Sequence, residues 1–217
     1  MNLIAWILAF IIAITIHEAA HAWMADKLGD PTARLMGRLS LNPLVHYDPV
    51  GTTLLLGLVF MRSLGLPVIP FGWAKPVRFD PFNLKNPRRD SAMISLAGPV
   101  SNLLLAALLS LILRLSLLPY GSFGLIFTLI SPVITLNVVL AIFNLVPVHP
   151  LDGGKIFIGL LPRDQAEEAD RFLTRYGMLI LIFLIFPTFG GTSPLFSVIG
   201  PVINLVLKVL IPGNPLV

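Results

Sequence analysis

Apolar residues run almost unbroken through Leu3 to Met24, Ser91 to Leu113, Phe123 to Val146 and Leu195 to Ile211. Each run is close to the ~20 residues that a membrane-spanning helix needs, so the pattern predicts four spans. A shorter run, Phe172 to Phe189, closes on Pro187 and Gly190-Gly191, and predicts either a fifth span or one half of a C-terminal hairpin. Between the first two long runs the pattern is less regular. Gly51 to Pro70 is long enough to span but carries Arg62 near its middle, followed by Gly65, Pro67 and Pro70. An arginine at the bilayer centre costs at least ~2.5 kcal/mol on the most lenient scale, which favours a re-entrant segment. Phe71 to Phe82, FGWAKPVRFDPF, alternates in part between polar and apolar and is punctuated by prolines. It reads as an extended edge strand rather than a helix. Pro162 to Arg175 is rich in charge and reads as a solvated helix joining two membrane segments.

The distribution of basic residues turns this pattern into a topology. If Gly51 to Pro70 dips in and returns, nine Lys and Arg from Lys27 to Arg89 share a side with Lys155, Arg163, Arg171, Arg175 and Lys208, giving 14 against Arg114 alone. If it crosses, the two sides are far more even and Arg62 is stranded inside. The positive-inside rule selects the first arrangement. It places Asp26 to Asp90 and Pro147 to Arg175 in the cytoplasm, and the N-terminus outside. The first run is retained rather than cleaved as a signal peptide, because no basic stretch precedes it and it carries His17, Glu18 and His21.

Composition agrees. The chain is 56% hydrophobic and only 12% charged, with a mean hydropathy of +0.88, against about 25% charge in soluble domains. We expect one membrane-embedded domain over residues 1–217, an all-α polytopic bundle with a re-entrant segment and a short membrane β-hairpin. Its catalytic core covers about residues 3–160 and its C-terminal helices 172–211. The pI near 9.8 reflects loop residues that orient the spans, and nucleic acid is not an expected partner. With no cysteine in the chain, any metal site must use histidine, carboxylate or other oxygen ligands.

His17-Glu18-Ala19-Ala20-His21 supplies such a site. A separation of four residues puts both imidazoles on one face of a helix, one turn apart, where they can share one zinc ion. Two polar residues placed in a span by chance are costly there unless paired or functional. A catalytic zinc usually has three protein ligands and an open fourth position. Asp152 is the best third candidate, since Pro147 and Pro150 end the preceding helix and Gly153-Gly154 permit a turn. Capping of the helix that begins near Lys155 is an equally good use of that aspartate. His46 and His149 are expected to bond backbone locally and are left out of the ligand set.

Taken together, HEAAH at the end of a first span, Ala97-Gly98-Pro99-x-x-Asn102 opening a later one, and Asn144-x-x-Pro147 with Leu151-Asp152-Gly153 resemble the site-2 protease family of intramembrane metalloproteases. The resemblance covers roughly Ile12 to Lys155 and is to the small members without a PDZ or CBS domain. It implies zinc ligands at His17, His21 and Asp152, Glu18 as catalytic base, and a membrane β-hairpin between the first two core helices. It also implies Asn144 beside the active site, in contact with substrate or the developing oxyanion. His149 departs from a common family version that has proline there.

The expected reaction is hydrolysis of peptide bonds within or near the spans of other membrane proteins, at the cell membrane, with the site open to the cytoplasm. The unwound substrate is expected to add as a strand to Phe71 to Asp80, chiefly at Val77, Arg78 and Phe79. The competing readings are a metal transporter or sensor, which needs polar residues along a path across the bilayer, and a catalytically silent relative, against which the intact Glu18 argues.

Overall fold

The computed structural model describes residues 3–66, 72–116, 123–187 and 193–211. Among these residues every regular element is helical: α1 (Leu3–Lys27), α2 (Thr32–Leu35), α3 (Gly51–Ser63), α4 (Pro87–Ser116), α5 (Phe123–Asn144), α6 (Asp152–Leu160), α7 (Arg163–Ile185) and α8 (Pro194–Leu210). Short 3₁₀ turns occur at Pro43–Val45 and Pro81–Asn83. Three helices, α1, α4 and α5, are long and apolar enough to cross a membrane. The protein is therefore a multi-pass helical membrane protein. The fourth predicted span, α8, has 17 residues and reaches only about 25 Å. The predicted fifth is the apolar part of α7, continuous with the charged helix expected over Pro162 to Arg175.

The core is a bundle of α1, α4 and α5, with α6 laid on α4 and α8 on α5. Helix α1 is apolar all round, so its buried face is chosen by size. Ala5, Ala9 and Ala13 are at most 2% exposed and lie on one i, i+4 row that continues to His17 and His21. Small side chains let neighbouring membrane helices approach closely. Helix α4 starts at Pro87, with the Asp90 carboxylate reaching back to accept the Asn86 N–H at 2.8 Å.

The expected β-hairpin is not formed by the described residues. Phe71 lies outside them, and residues 72–80 have no regular structure and no strand ladder. The reason is that the donors of this segment go elsewhere. Lys75 N–H donates to His46 O at 3.0 Å, Val77 N–H to Glu18 Oε2 at 3.0 Å and Asp80 N–H to Asp30 Oδ2 at 2.7 Å, while Pro76 has none.

The segment returns to where α3 began. A Cβ on Gly72 would lie 2.3 Å from Gly51 O, and Thr52 Oγ1 donates to Trp73 O at 3.2 Å. Asp30 fixes the far end. It is fully buried and accepts from Thr32, Asp80 and Asn83. Burial raises its pKa, but these hydrogen bonds outweigh that and hold the carboxyl below the usual range.

Candidate metal centre and catalytic site

Helix α6 begins at Asp152 and turns this side chain back to α1. Its Oδ2 stands 3.1 Å from His17 Nε2 and 3.2 Å from His21 Nε2. The three donor atoms all lie within 4.8 Å of one another. Tetrahedral zinc ligands at ~2.0–2.2 Å from the ion are about 3.4 Å apart, so the spacing suits such an ion.

The alternative use of Asp152 as a helix cap is not made, because the cap position falls on Leu151 and has no side-chain hydrogen bond. Gly153 and Gly154 differ from expectation. They are helical, and their role is close approach: a Cβ on Gly153 would lie 2.2 Å from Val146 O. Without that contact α6 could not sit against the end of α5 and aim Asp152 at the histidines.

The outer nitrogens settle the chemistry of the inner ones. His21 Nδ1 donates to Ile94 O at 2.7 Å. His17 Nδ1 lies 2.6 Å from Asn102 Oδ1. Asn102 Nδ2 donates to Ala13 O at 2.9 Å and to Asn137 Oδ1 at 2.6 Å, and Asn137 Nδ2 donates to Val133 O at 2.8 Å. Carbonyls only accept, so the two terminal carbonyls orient both amides and leave Asn102 Oδ1 as an acceptor. A neutral imidazole at either position then carries its proton on Nδ1 and presents a lone pair from Nε2 toward Asp152. Two such lone pairs and a carboxylate oxygen converging on one point repel one another unless a proton or a metal cation stands between them. The donor set therefore fits a divalent metal, with outer partners of the usual kind. Gly98 makes room for it, since a Cβ there would lie 2.5 Å from His21 Nε2 and 2.7 Å from His17 Cε1.

Glu18, 9% exposed, is not among the three converging residues, and its Oε2 accepts the Val77 N–H. That leaves it beside the three converging residues and not among them. Val77 and Phe79 are half-buried, and Arg78 between them is exposed. Asn144 donates to Leu140 O one turn back on its own helix, at 2.9 Å, and makes no hydrogen bond to His17, Glu18, His21 or Asp152.

His46 behaves as expected, its Nε2 bonded to Ser40 O at 2.9 Å. His149 does not bond backbone. Its Nε2 faces Asp170 at 3.6 Å, while burial, with Lys155 nearby, lowers its pKa against the pull of Asp170.

Sequence reading gave no role to Asn102 and did not single out Asn137. The signal was there: an amide inside an apolar run needs a partner. Replacing Asn102 with leucine should cost about 10- to 100-fold in zinc affinity or turnover, read by chelator competition. An unchanged affinity and turnover would mean that packing alone holds His17.

Comparison with known proteins supplies the lineage. Residues 120–184 match the model of Peptidase family M50, a stretch that holds Asn144 and Asp152 but not the two histidines. The matches to curated relatives cover most of the chain. The chain is 37% identical over 208 residues to the provisionally named zinc metalloprotease YwhC of Bacillus subtilis, covering 91% of this chain and 85% of that protein. It is 30% identical over 187 residues to the provisionally named zinc metalloprotease Rip2 of Mycolicibacterium smegmatis, covering 82% and 65%. With Rip2 of Mycobacterium tuberculosis H37Rv the identity is 28% over 192 residues, covering 85% and 68%. No solved structure matches the chain. An identity of 37% held across 85% of the Bacillus protein settles the kinship, and the chain belongs to Peptidase family M50, the family of the site-2 proteases.

Proposed function

We propose that the protein hydrolyses peptide bonds within or beside the membrane spans of other proteins, with zinc held by His17, His21 and Asp152 and with Glu18 as base. One observation carries this reading: the Glu18 carboxylate is tied to the backbone of the edge segment while the flanking histidines aim their Nε2 atoms at Asp152. Base, ligands and a peptide-like edge meet at one place near the end of α1. A bound zinc ion supplies Lewis acidity for the carbonyl and the attacking water. Glu18 takes a proton from that water and returns it to the leaving amine.

A helical substrate hides its carbonyls in internal hydrogen bonds and must unwind first. In an extended chain, residues 77 and 79 turn their backbone groups to the same side. Val77 N–H is already on Glu18, which leaves Val77 O and Phe79 N–H to pair with a substrate strand. Arg78 faces the other way. Asn144 enters only through contact with substrate. The test is turnover, by purified zinc-loaded protein in liposomes, of an apolar peptide that spans the bilayer and contains a glycine. A peptide left intact by the wild-type protein overturns the reading.

The site opens to the cytoplasm in this proposal, supported by the 14 to 1 division of basic residues and by the return of Gly72 to Gly51. The cysteine-free chain makes this easy to check. Single cysteines at the exposed positions Leu35 and Asn86 should both react with an impermeant maleimide only from the cytoplasmic side. Reaction from opposite sides would mean that the intervening segment crosses.

A further inference from the structure

One charged group beside the site has no part in the mechanism above. Lys155 lies on α6, three residues after Asp152 and so on the same face, one turn along. It is half-buried, and among the described residues it makes no hydrogen bond or ion pair. Its Nζ instead stands 4.5 Å from the centre of the Phe79 ring. Phe79 is two residues past Val77, about 6.6 Å along the edge from the amide that holds Glu18. Burial lowers the pKa of Lys155, and the charges of Asp152 and Glu18 oppose this only in part. A half-buried lysine with no hydrogen bond or ion pair among the described residues thus sits one helical turn from a metal ligand and over a ring of the edge on which a substrate carbonyl would lie.

We propose that Lys155 is a further catalytic residue, donating a hydrogen bond to the scissile carbonyl oxygen as it becomes an oxyanion. Asn144, which donates into its own helix, is the weaker candidate for that task. The proposal rests on the proteolytic reading. As water oxygen bonds to the carbonyl carbon, one water proton goes to Glu18 and the carbonyl π pair moves onto oxygen, where the Lys155 N–H meets it. Re-forming the C=O bond expels the amine, which takes the proton from Glu18. The second water proton leaves the new acid, giving a carboxylate beside the same ammonium and a protonated amine. Negative charge passes from Glu18 to the substrate oxygen, and a cation placed to act on both accompanies it.

The test compares Lys155→Met, which keeps the stem on Phe79, with Lys155→Arg, which keeps the charge. For Lys155→Met, kcat should fall about 100-fold, with KM and zinc content unchanged within about threefold, and Lys155→Arg should recover at least about tenfold of the loss. A second readout needs no turnover. Zinc-loaded Glu18→Gln protein should prefer N-acetyl-Leu-Leu-Leu with a free carboxylate over its C-terminal amide, and adding Lys155→Met should reduce that preference at least about fivefold. Unchanged kcat with an unchanged preference overturns the proposal. So does an equal loss in both lysine variants, or loss of zinc from both, since either would mean that Lys155 only packs. Failure of the proteolytic reading is separate, because it shows as absence of turnover by the wild-type protein.

Discussion

Glu18→Gln is expected to lower turnover by at least about 1,000-fold, near the upper part of the range for a general base, while zinc content stays that of the wild type. Glutamine keeps the length of the side chain and an acceptor oxygen for the Val77 N–H, so the bond that ties α1 to the edge at 3.0 Å survives. It loses only the ability to take a proton. The ligand histidines keep their Nδ1 partners, Asn102 Oδ1 and Ile94 O, neither of which involves residue 18. Product formation by mass spectrometry and metal analysis on the same preparation measure the two effects separately. Residual turnover within about tenfold of wild type would remove Glu18 from the role of base.

Asp152→Ala is expected to weaken zinc binding by at least about 100-fold, beyond the loss that outer partners cause. Its Oδ2 faces both imidazoles, at 3.1 and 3.2 Å, so removing it deletes the only anionic donor of the set. The loss should not come from an unravelled helix, because α6 takes no side-chain cap at its start. Competition with a chelator gives the affinity, and circular dichroism checks that helix content is kept. Full zinc occupancy in purified Asp152→Ala protein would strike the residue from the ligand set.

Residues in a span that can only be explained by each other were legible from sequence. His17, Glu18 and His21 are costly in an apolar helix, and their spacing fixes a shared face, so the motif could be read before any fold was known. Asp152 was legible as a candidate, but its alternative as a helix cap fell away only once α6 was seen to start at that residue. Asn102 and Asn137 carried the same polar signal. Their task depends on which helices become neighbours, and a short apolar stretch does not reveal that. Gly98 was visible as part of a motif, yet its reason is the volume of two imidazoles from another helix. The edge segment was read as part of a hairpin, and its described residues form no strand ladder. A ladder needs free donors on a partner, whereas here Glu18, His46 and Asp30 accept the amides. Asn144 was placed by family likeness beside the reaction, while the geometry of its amide points along α5.

The fastening of that edge has a consequence for traffic. Its amides are held at Lys75, Val77 and Asp80, and Trp73 O is held by Thr52, so it is anchored to α1 in its middle and to α3 and the loops around α2 elsewhere. A stretch pinned at four points is a wall and not a door. Nothing swings it aside without first cutting the tether of the base, and that would disable the enzyme at the moment of entry. In the proposed reaction, a polypeptide arriving from the bilayer would slide in along this wall and take its register from it.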